Sequence, residues 1–285
     1  MILSAFGFLA VLGLVALWRT VAGRDDSLAR LQRSGEIRIG YAAEEPYAFV
    51  RPGGEVTGEA PEIAKVVVAR LGIARISWRL IAFEELISEL EAGRIDVIAA
   101  AMFITRERAR QVRFSIPTFQ ARQALLVAPG NPLQLHSYQD AVAHPTARIA
   151  LLAGSVEAPL LRLLGLPGDR RIAVPDAITG RVAVESGLAD GLALSSPTVR
   201  WMVRSTPSPT TEIAQPFRQT AAPSGELPGE GAFAFRHSDL ALHAAWNQVL
   251  QGFLGSREHR TLVAGFGFTP DELPRGASST SIAPQ

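Results

Sequence analysis

The sequence predicts an α/β protein built as two lobes with a ligand cleft between them. Three observations carry this: two blocks in which strand and helix patterns alternate, the turn run Pro129-Gly130-Asn131-Pro132 between them, and a late strand that returns the chain to the first block. In the first block "IRIGYA" (37–42) reads as a strand and "PEIAKVVVARLG" (61–72) as an amphipathic helix closed by Gly72. "ARISWRLIAF" (74–83) is a second strand, "EELISELEAGR" (84–94) a helix and "IDVIAAAM" (95–102) a buried strand. Residues 24–36 ahead of this block read as a polar connector. The β-rich "FSIPTFQARQALLVAPGNP", broken by Pro117, leads to the second block. Its strands fall at 148–154, 171–176 and 190–196, and its helices at 156–165, 178–189 and 198–205. A Pro/Ser/Gly-rich excursion (219–231) precedes "GAFAFR" (231–236), a strand that crosses back, and the helix "LALHAAWNQVLQGFLGS" (240–256) packs on the first lobe. The division is therefore 36–127 and 229–273 for the first lobe, 128–228 for the second, and 274–285 for a disordered tail.

The first residues add a targeting element. An unbroken apolar run from Ala5 to Trp18, followed by Val21, Ala22 and Gly23, makes residues 1–23 a signal peptide or membrane anchor and places the protein outside the cytoplasm. Arg19 and Arg24 follow the run and no Lys or Arg precedes it, against the usual charge order. The chain of 285 residues is 47% apolar and 19% charged, with a net charge of +1 and interspersed signs, which argues against a nucleic-acid partner. It has no cysteine, so disulfides, thiolate metal sites and a cysteine nucleophile are excluded. Its five histidines lie in helices or connectors without metal-ligand spacing, and neither metal nor cofactor is expected.

Ligands of open α/β sheets sit beyond the carboxyl ends of the strands, and hinged lobes can enclose them. The residues at those ends are Glu44 and Tyr47, then Phe83, then Phe103, Thr105 and Arg108 in the first lobe, and Ser155 and Ser195 in the second. Such a set suits a small zwitterion. Arg108 can take a carboxylate in a charge-assisted pair, Ser155 and the helix start after it can complete that anion's shell, and Tyr47, Phe83 and Phe103 offer π faces to a cation that Glu44 neutralises. Each residue also has a purely structural reading: core aromatics for the two phenylalanines, a solvated helix turn for Arg108, and helix caps for Thr105 and Ser155.

The motif F-x-x-L-I-x-x-L-x-x-G-R-x-D-x-I-A (83–99) followed by T-x-E-R-x-x-x-V-x-F-S-x-P (105–117) resembles the extracellular solute-binding proteins of polar amino-acid ABC importers. The resemblance runs from residue 36 to about 273. "TGEAPEIA", "LHSYQD", "GAFAFR" and "LVAGFGFTPDELP" are similar to the ectoine/hydroxyectoine-binding members. It implies the type II periplasmic-binding-protein fold, a small zwitterionic ligand, an ABC permease as partner, and a monomer. It also implies that Glu44, Tyr47, Phe83 and Phe103 hold the amidine-like ring of ectoine, with Arg108 as carboxylate clamp and Ser155 assisting. Binders of ordinary α-amino acids carry an aspartate where this chain has Ser195, which favours a delocalised cation over a primary ammonium. Ala101 and Ala43 depart from the glycine and asparagine of the ectoine-binding pattern. The alternatives are a binder of a polar α-amino acid, and an enzyme similar to cyclohexadienyl dehydratase, for which Glu44 is the candidate acid or base.

Overall fold

The structure, a computed structural model, describes residues 25–205, 210–219 and 229–274. The predicted signal or anchor, most of the 219–231 excursion and nearly all of the 274–285 tail lie outside the described residues. No helix among the described residues is long and apolar enough to cross a membrane.

The strands, in chain order, are β1 (Glu36–Tyr41), β2 (Phe49–Val50), β3 (Val56–Thr57), β4 (Arg75–Leu80), β5 (Val97–Phe103), β6 (Arg113–Phe114), β7 (Phe119–Gln120), β8 (Gln123–Val127), β9 (Ile149–Leu152), β10 (Arg171–Val174), β11 (Gly191–Ser195), β12 (Glu212–Ile213) and β13 (Glu230–Phe235). One sheet has the order β4-β1-β5-β13-β6 with β7 on β13, and the other β10-β9-β11-β8-β12. In each, parallel strands form one side: β1 pairs β4 and β5, and β9 pairs β10 and β11. The antiparallel strands β13 and β8 then join β5 and β11.

The chain passes from one sheet to the other between β7 and β8, and returns between β12 and β13. Because β8 pairs with β11, the first passage comes at residues 121–122, earlier than the boundary drawn after 127. A continuous β-rich run carries no change of period to mark where it changes sheets. The expected connector at 24–36 likewise contains a helix, Ser27–Ser34. Only Leu31 and Ser27 of it are buried, and Leu242 N donates to Ser27 Oγ at 3.1 Å, so tertiary contact holds it rather than an apolar stripe.

One device recurs in both lobes. Arg38 of β1 donates through its backbone N–H, Nε and Nη2 to Asp96, just before β5, at 3.0, 3.0 and 2.8 Å. Arg148, just before β9, donates through N and Nε to Asp190, just before β11, at 2.8 and 3.2 Å. Each pin fastens the start of the central strand to its parallel neighbour and leaves the opposite strand ends free for the cleft. In the first lobe a second arginine, Arg236, also donates to Asp96 at 3.1 Å. Burial there works against ionisation, yet the arginine bonds keep the Asp96 carboxyl below its ordinary range. The helix Glu59–Arg70 buries Ile63, Ala64, Val67 and Val68 at helical spacing in the core holding Phe233 and Trp246. Each of its larger aliphatic side chains contributes roughly 1.5–3 kcal/mol by leaving water.

Candidate ligand-binding site

A cavity of about 310 Å³ lies between the lobes, and Glu44, Tyr47, Phe83, Phe103, Arg108, Ser155 and Ser195 all line it. Ala101, Leu152, Val156, Glu157 and Leu194 complete its wall. Local structure explains how the predicted set converges. After β1 the chain doubles back, with Glu44 N donating to Ala48 O at 2.9 Å and Ala48 N to Glu44 O at 3.0 Å, which fixes Glu44 and Tyr47 at the rim. Phe83 begins the 3₁₀ turn Phe83–Glu85, because β4 stops at Leu80 and not at Phe83 as the sequence suggested. Thr105 caps the short helix Arg106–Ala109, its Oγ1 accepting from Arg108 N at 3.1 Å. The cap and the site are thus one piece of structure, since the turn that Thr105 starts carries Arg108 inward to only 9% exposure. Ser155 is not a cap. Val156 holds that position for the helix Glu157–Leu163, and the buried Ser155 Oγ closes no hydrogen bond of normal geometry, though it lies close enough to Glu157 to favour that carboxylate.

Arg108 spans the cleft. Its Nη1 donates to Phe103 O and its Nη2 to Gly154 O in the opposite lobe, both at 2.8 Å, and its guanidinium carbon lies 5.4 Å from the centre of the Phe83 ring. One face of Phe83 is therefore filled by the protein's own cation, where the sequence reading gave all three rings to the ligand. Burial lowers the Arg108 pKa to about 10, which still leaves it cationic at neutral pH. Tyr47 and Phe103 both pack on Phe119, with centroids 4.8 and 5.6 Å apart, so the aromatic wall rests on a second aromatic layer.

A chain of hydroxyls joins the lobes at the other end. Thr198 Oγ1 donates to Glu44 Oε1 at 2.7 Å, Ser195 Oγ lies 3.1 Å from Thr198 Oγ1, and Tyr47 OH lies 3.1 Å from Ser195 Oγ. Thr198 spends its only proton on Glu44, so Ser195 donates to Thr198 and Tyr47 donates to Ser195. Burial raises the Glu44 carboxyl to about 6, with the Thr198 bond opposing. Ser195 is thus a link between the lobes rather than an open slot.

The sequence reading missed Thr198, Glu157 and the outer contacts. Thr198 stands three positions after Ser195 on the first turn of Ser196–Arg204, a spacing that could have signalled a shared face. Glu157 looked like an ordinary first-turn acid, yet it is buried, and burial drives its carboxyl up to about 7. Farther out, Trp201 Nε1 donates to Glu45 Oε2 at 2.6 Å and Arg200 Nη2 reaches both Glu272 oxygens at 2.8 Å. Gly154 marks the tightest approach: its φ is +76°, and a Cβ there would lie 2.8 Å from Glu84 Cα. These contacts place the lobes in a closed arrangement. Among the described residues no group of three or more acidic or histidine side chains could hold a metal ion.

Comparison with known proteins agrees with this geometry. Residues 37–267 match the bacterial extracellular solute-binding proteins, family 3. A probable amino-acid ABC transporter periplasmic-binding protein of Sinorhizobium fredii is 31% identical over 249 residues, covering 87% of this chain and 82% of that one. The crystal structure of EhuB in complex with hydroxyectoine superposes with a TM-score of 0.79 at 32% identity, over 86% of this chain and 94% of the other. ArgBP from T. maritima shares the fold with a TM-score of 0.74 at 24% identity, over 85% and 99%.

Proposed function

Because this chain belongs to the bacterial extracellular solute-binding proteins of family 3 and serves an amino-acid-type ABC importer, we propose that its solute is a small zwitterion of the ectoine and hydroxyectoine type. The family gives it a periplasmic setting and a membrane permease as partner. In this reading the protein acts as a monomer, encloses the solute without transforming it and releases it to the permease. Its first lobe is formed by the segments before residue 121 and after 229, and its second lobe by those between.

The observation that carries the reading is the arrangement within one cavity of about 310 Å³: Arg108 beside Phe83 and Ser155, Glu44 at the hydroxyl chain, and Tyr47 and Phe103 on the wall. Arg108 takes the carboxylate by exchanging its carbonyl partners for a charge-assisted pair, and Ser155 donates its hydroxyl. The ring cation faces Glu44 and the aromatic wall. Ser195, already bonded to Tyr47 and Thr198, offers no counter-charge to a primary ammonium. The hydroxyectoine-bound neighbour supports the same class of guest.

A second reading, a cationic α-amino acid, draws on one observation: two carboxyl groups, Glu44 and Glu157, face a single guanidinium. Calorimetry with ectoine, hydroxyectoine, arginine, glutamine, proline and glycine betaine decides between them. Trp201, bonded to Glu45 across the cleft, supplies a fluorescence signal for closure. Ectoine or hydroxyectoine should bind and emerge unchanged. Binding of arginine alone would establish the second reading, and consumption of any guest would make the protein an enzyme.

A further inference from the structure

Glu157 is the group in this cavity for which neither the sequence motifs nor the clamp-and-cage arrangement gives a use. It is the first residue of its helix, is 2% exposed, and lines the cavity beside Ser155. Its Oε1 closes no hydrogen bond, and no ion pair joins it to Arg108 among the described residues. The charged and titratable groups around it are Arg108 and Glu44 from the first lobe and Tyr138 from its own lobe. A zwitterion that places its carboxylate on Arg108 puts a new negative charge beside Glu157. With Glu44 ionised for the guest's cation, an ionised Glu157 would then leave the closed cavity with one more negative charge than positive. Such an excess in a buried site is removed most simply by a proton.

We infer that Glu157 meets the guest as a neutral carboxylic acid, donating its O–H to the guest's carboxylate alongside Arg108 and Ser155, so that capture takes up one proton wherever the empty site is ionised. The inference rests on the zwitterion reading above. Burial raises the Glu157 carboxyl of the empty site to about 7 and Glu44 adds to the rise, against its own backbone N–H, the Ser155 hydroxyl and Arg108, which lower it. Below that pH the acid is already in place and Glu157 gives affinity no pH dependence. Above it each pH unit should weaken binding about tenfold, the slope of a one-proton linkage.

The test is calorimetry of the whole protein with ectoine at about pH 8, in buffers of differing ionisation enthalpy, for wild type and Glu157→Gln. Wild type should take up close to one proton per ectoine. The Glu157→Gln variant keeps a donor in the same place, so it should bind as wild type does near pH 6, take up no proton at pH 8, and lose the tenfold-per-unit slope. Ectoine binding without proton uptake in wild type, or with uptake unchanged in the variant, overturns the role of Glu157 while leaving the reading of the cleft intact. A variant weakened equally at every pH shows an ionised Glu157 holding the guest's cation and also overturns it. Absence of heat with ectoine and hydroxyectoine, where arginine binds, overturns the zwitterion reading and this inference with it.

Discussion

The two lobes are alike at one end of their sheets and unlike at the other. Both fasten a central strand with an arginine–aspartate pin, Arg38 to Asp96 and Arg148 to Asp190. At the cleft the first lobe presents Glu44, Arg108 and three aromatic rings, whereas the second presents Ser155, Ser195, Glu157 and aliphatic side chains. In the proposed reading the difference is a division of labour: the first lobe holds the guest's charges, and the second supplies the hydroxyls and the acid that complete the enclosure. Substitutions in the two lobes should therefore fail in different ways.

The largest effect is expected in the first lobe. Arg108→Ala removes the sole cation of the cavity, its bridge to Gly154 O and its contact with Phe83. Truncating one partner of a buried, hydrogen-bonded charge pair costs about 4 kcal/mol, close to a thousandfold in affinity. Titration calorimetry should show no binding, while thermal unfolding confirms an intact fold. Retention of wild-type affinity would mean that Arg108 is not the clamp and would undo the comparison.

Next comes a property of the first lobe's interior. Glu59, at the start of its helix, is fully buried behind the cage, and neither carboxyl oxygen closes a hydrogen bond of normal geometry. Burial lifts its carboxyl from 4.5 to about 8, with Thr118 offsetting only part. The folded value lies above the unfolded one, so its stabilising contribution is complete below about 4.5 and is lost as pH rises through about 8. At neutral pH that loss is on the order of 3 kcal/mol. Glu59→Gln should be more stable than wild type by about that amount in urea unfolding at pH 7 to 8, with the gap closing toward pH 4.5. Parallel pH curves for the two proteins would show that Glu59 does not titrate in this window.

How much of this was legible depends on where side chains sit relative to strands. Glu44 and Tyr47 come soon after β1, Phe103 ends β5 and Arg108 lies on the short helix just beyond it, and strand ends are visible as the stop of an apolar run. Their convergence follows from parallel strands sharing one rim. Glu157 was not legible and Thr198 only through its spacing from Ser195, because each acts through contact with the other lobe or the cavity, and a first-turn Thr or Glu reads locally as ordinary helix chemistry. The change of sheet inside the 119–127 run was hidden for the same reason: partner identity is tertiary information.

The second lobe's share can be measured at Thr198. Thr198→Val keeps the shape and deletes the hydroxyl that donates to Glu44 and receives from Ser195. Loss of this link costs about 1 kcal/mol, or about fivefold in affinity. Because the link exists only when the lobes meet, the cost should appear in ligand affinity and in a larger radius of gyration by X-ray scattering, with the unfolding midpoint unchanged. A lowered midpoint with unchanged affinity would make the hydroxyl chain a packing feature of one lobe.

The smallest effect concerns Ala101 on the first lobe's side of the cleft. Ala101 lines the cavity between the lobes and also a narrow packing gap beside Glu59. Its φ is +52°, in the left-handed region, where the register between β5 and β13 slips. A Cβ is unfavourable there by about 1 kcal/mol, whereas glycine adopts this backbone freely. Glycine also loses more chain entropy on folding, which cancels part of the gain. Ala101→Gly should therefore stabilise the protein by only about 0.5 kcal/mol, read as a rise of a degree or two in melting temperature. It also removes a methyl group from the cavity wall, so a guest bulkier than ectoine should gain affinity while ectoine itself changes little. If the variant instead melts lower, the Ala101 methyl contributes more through its contacts between the cavity and the gap than its backbone conformation costs, and the first lobe's rim is better packed than its dihedral angles suggest.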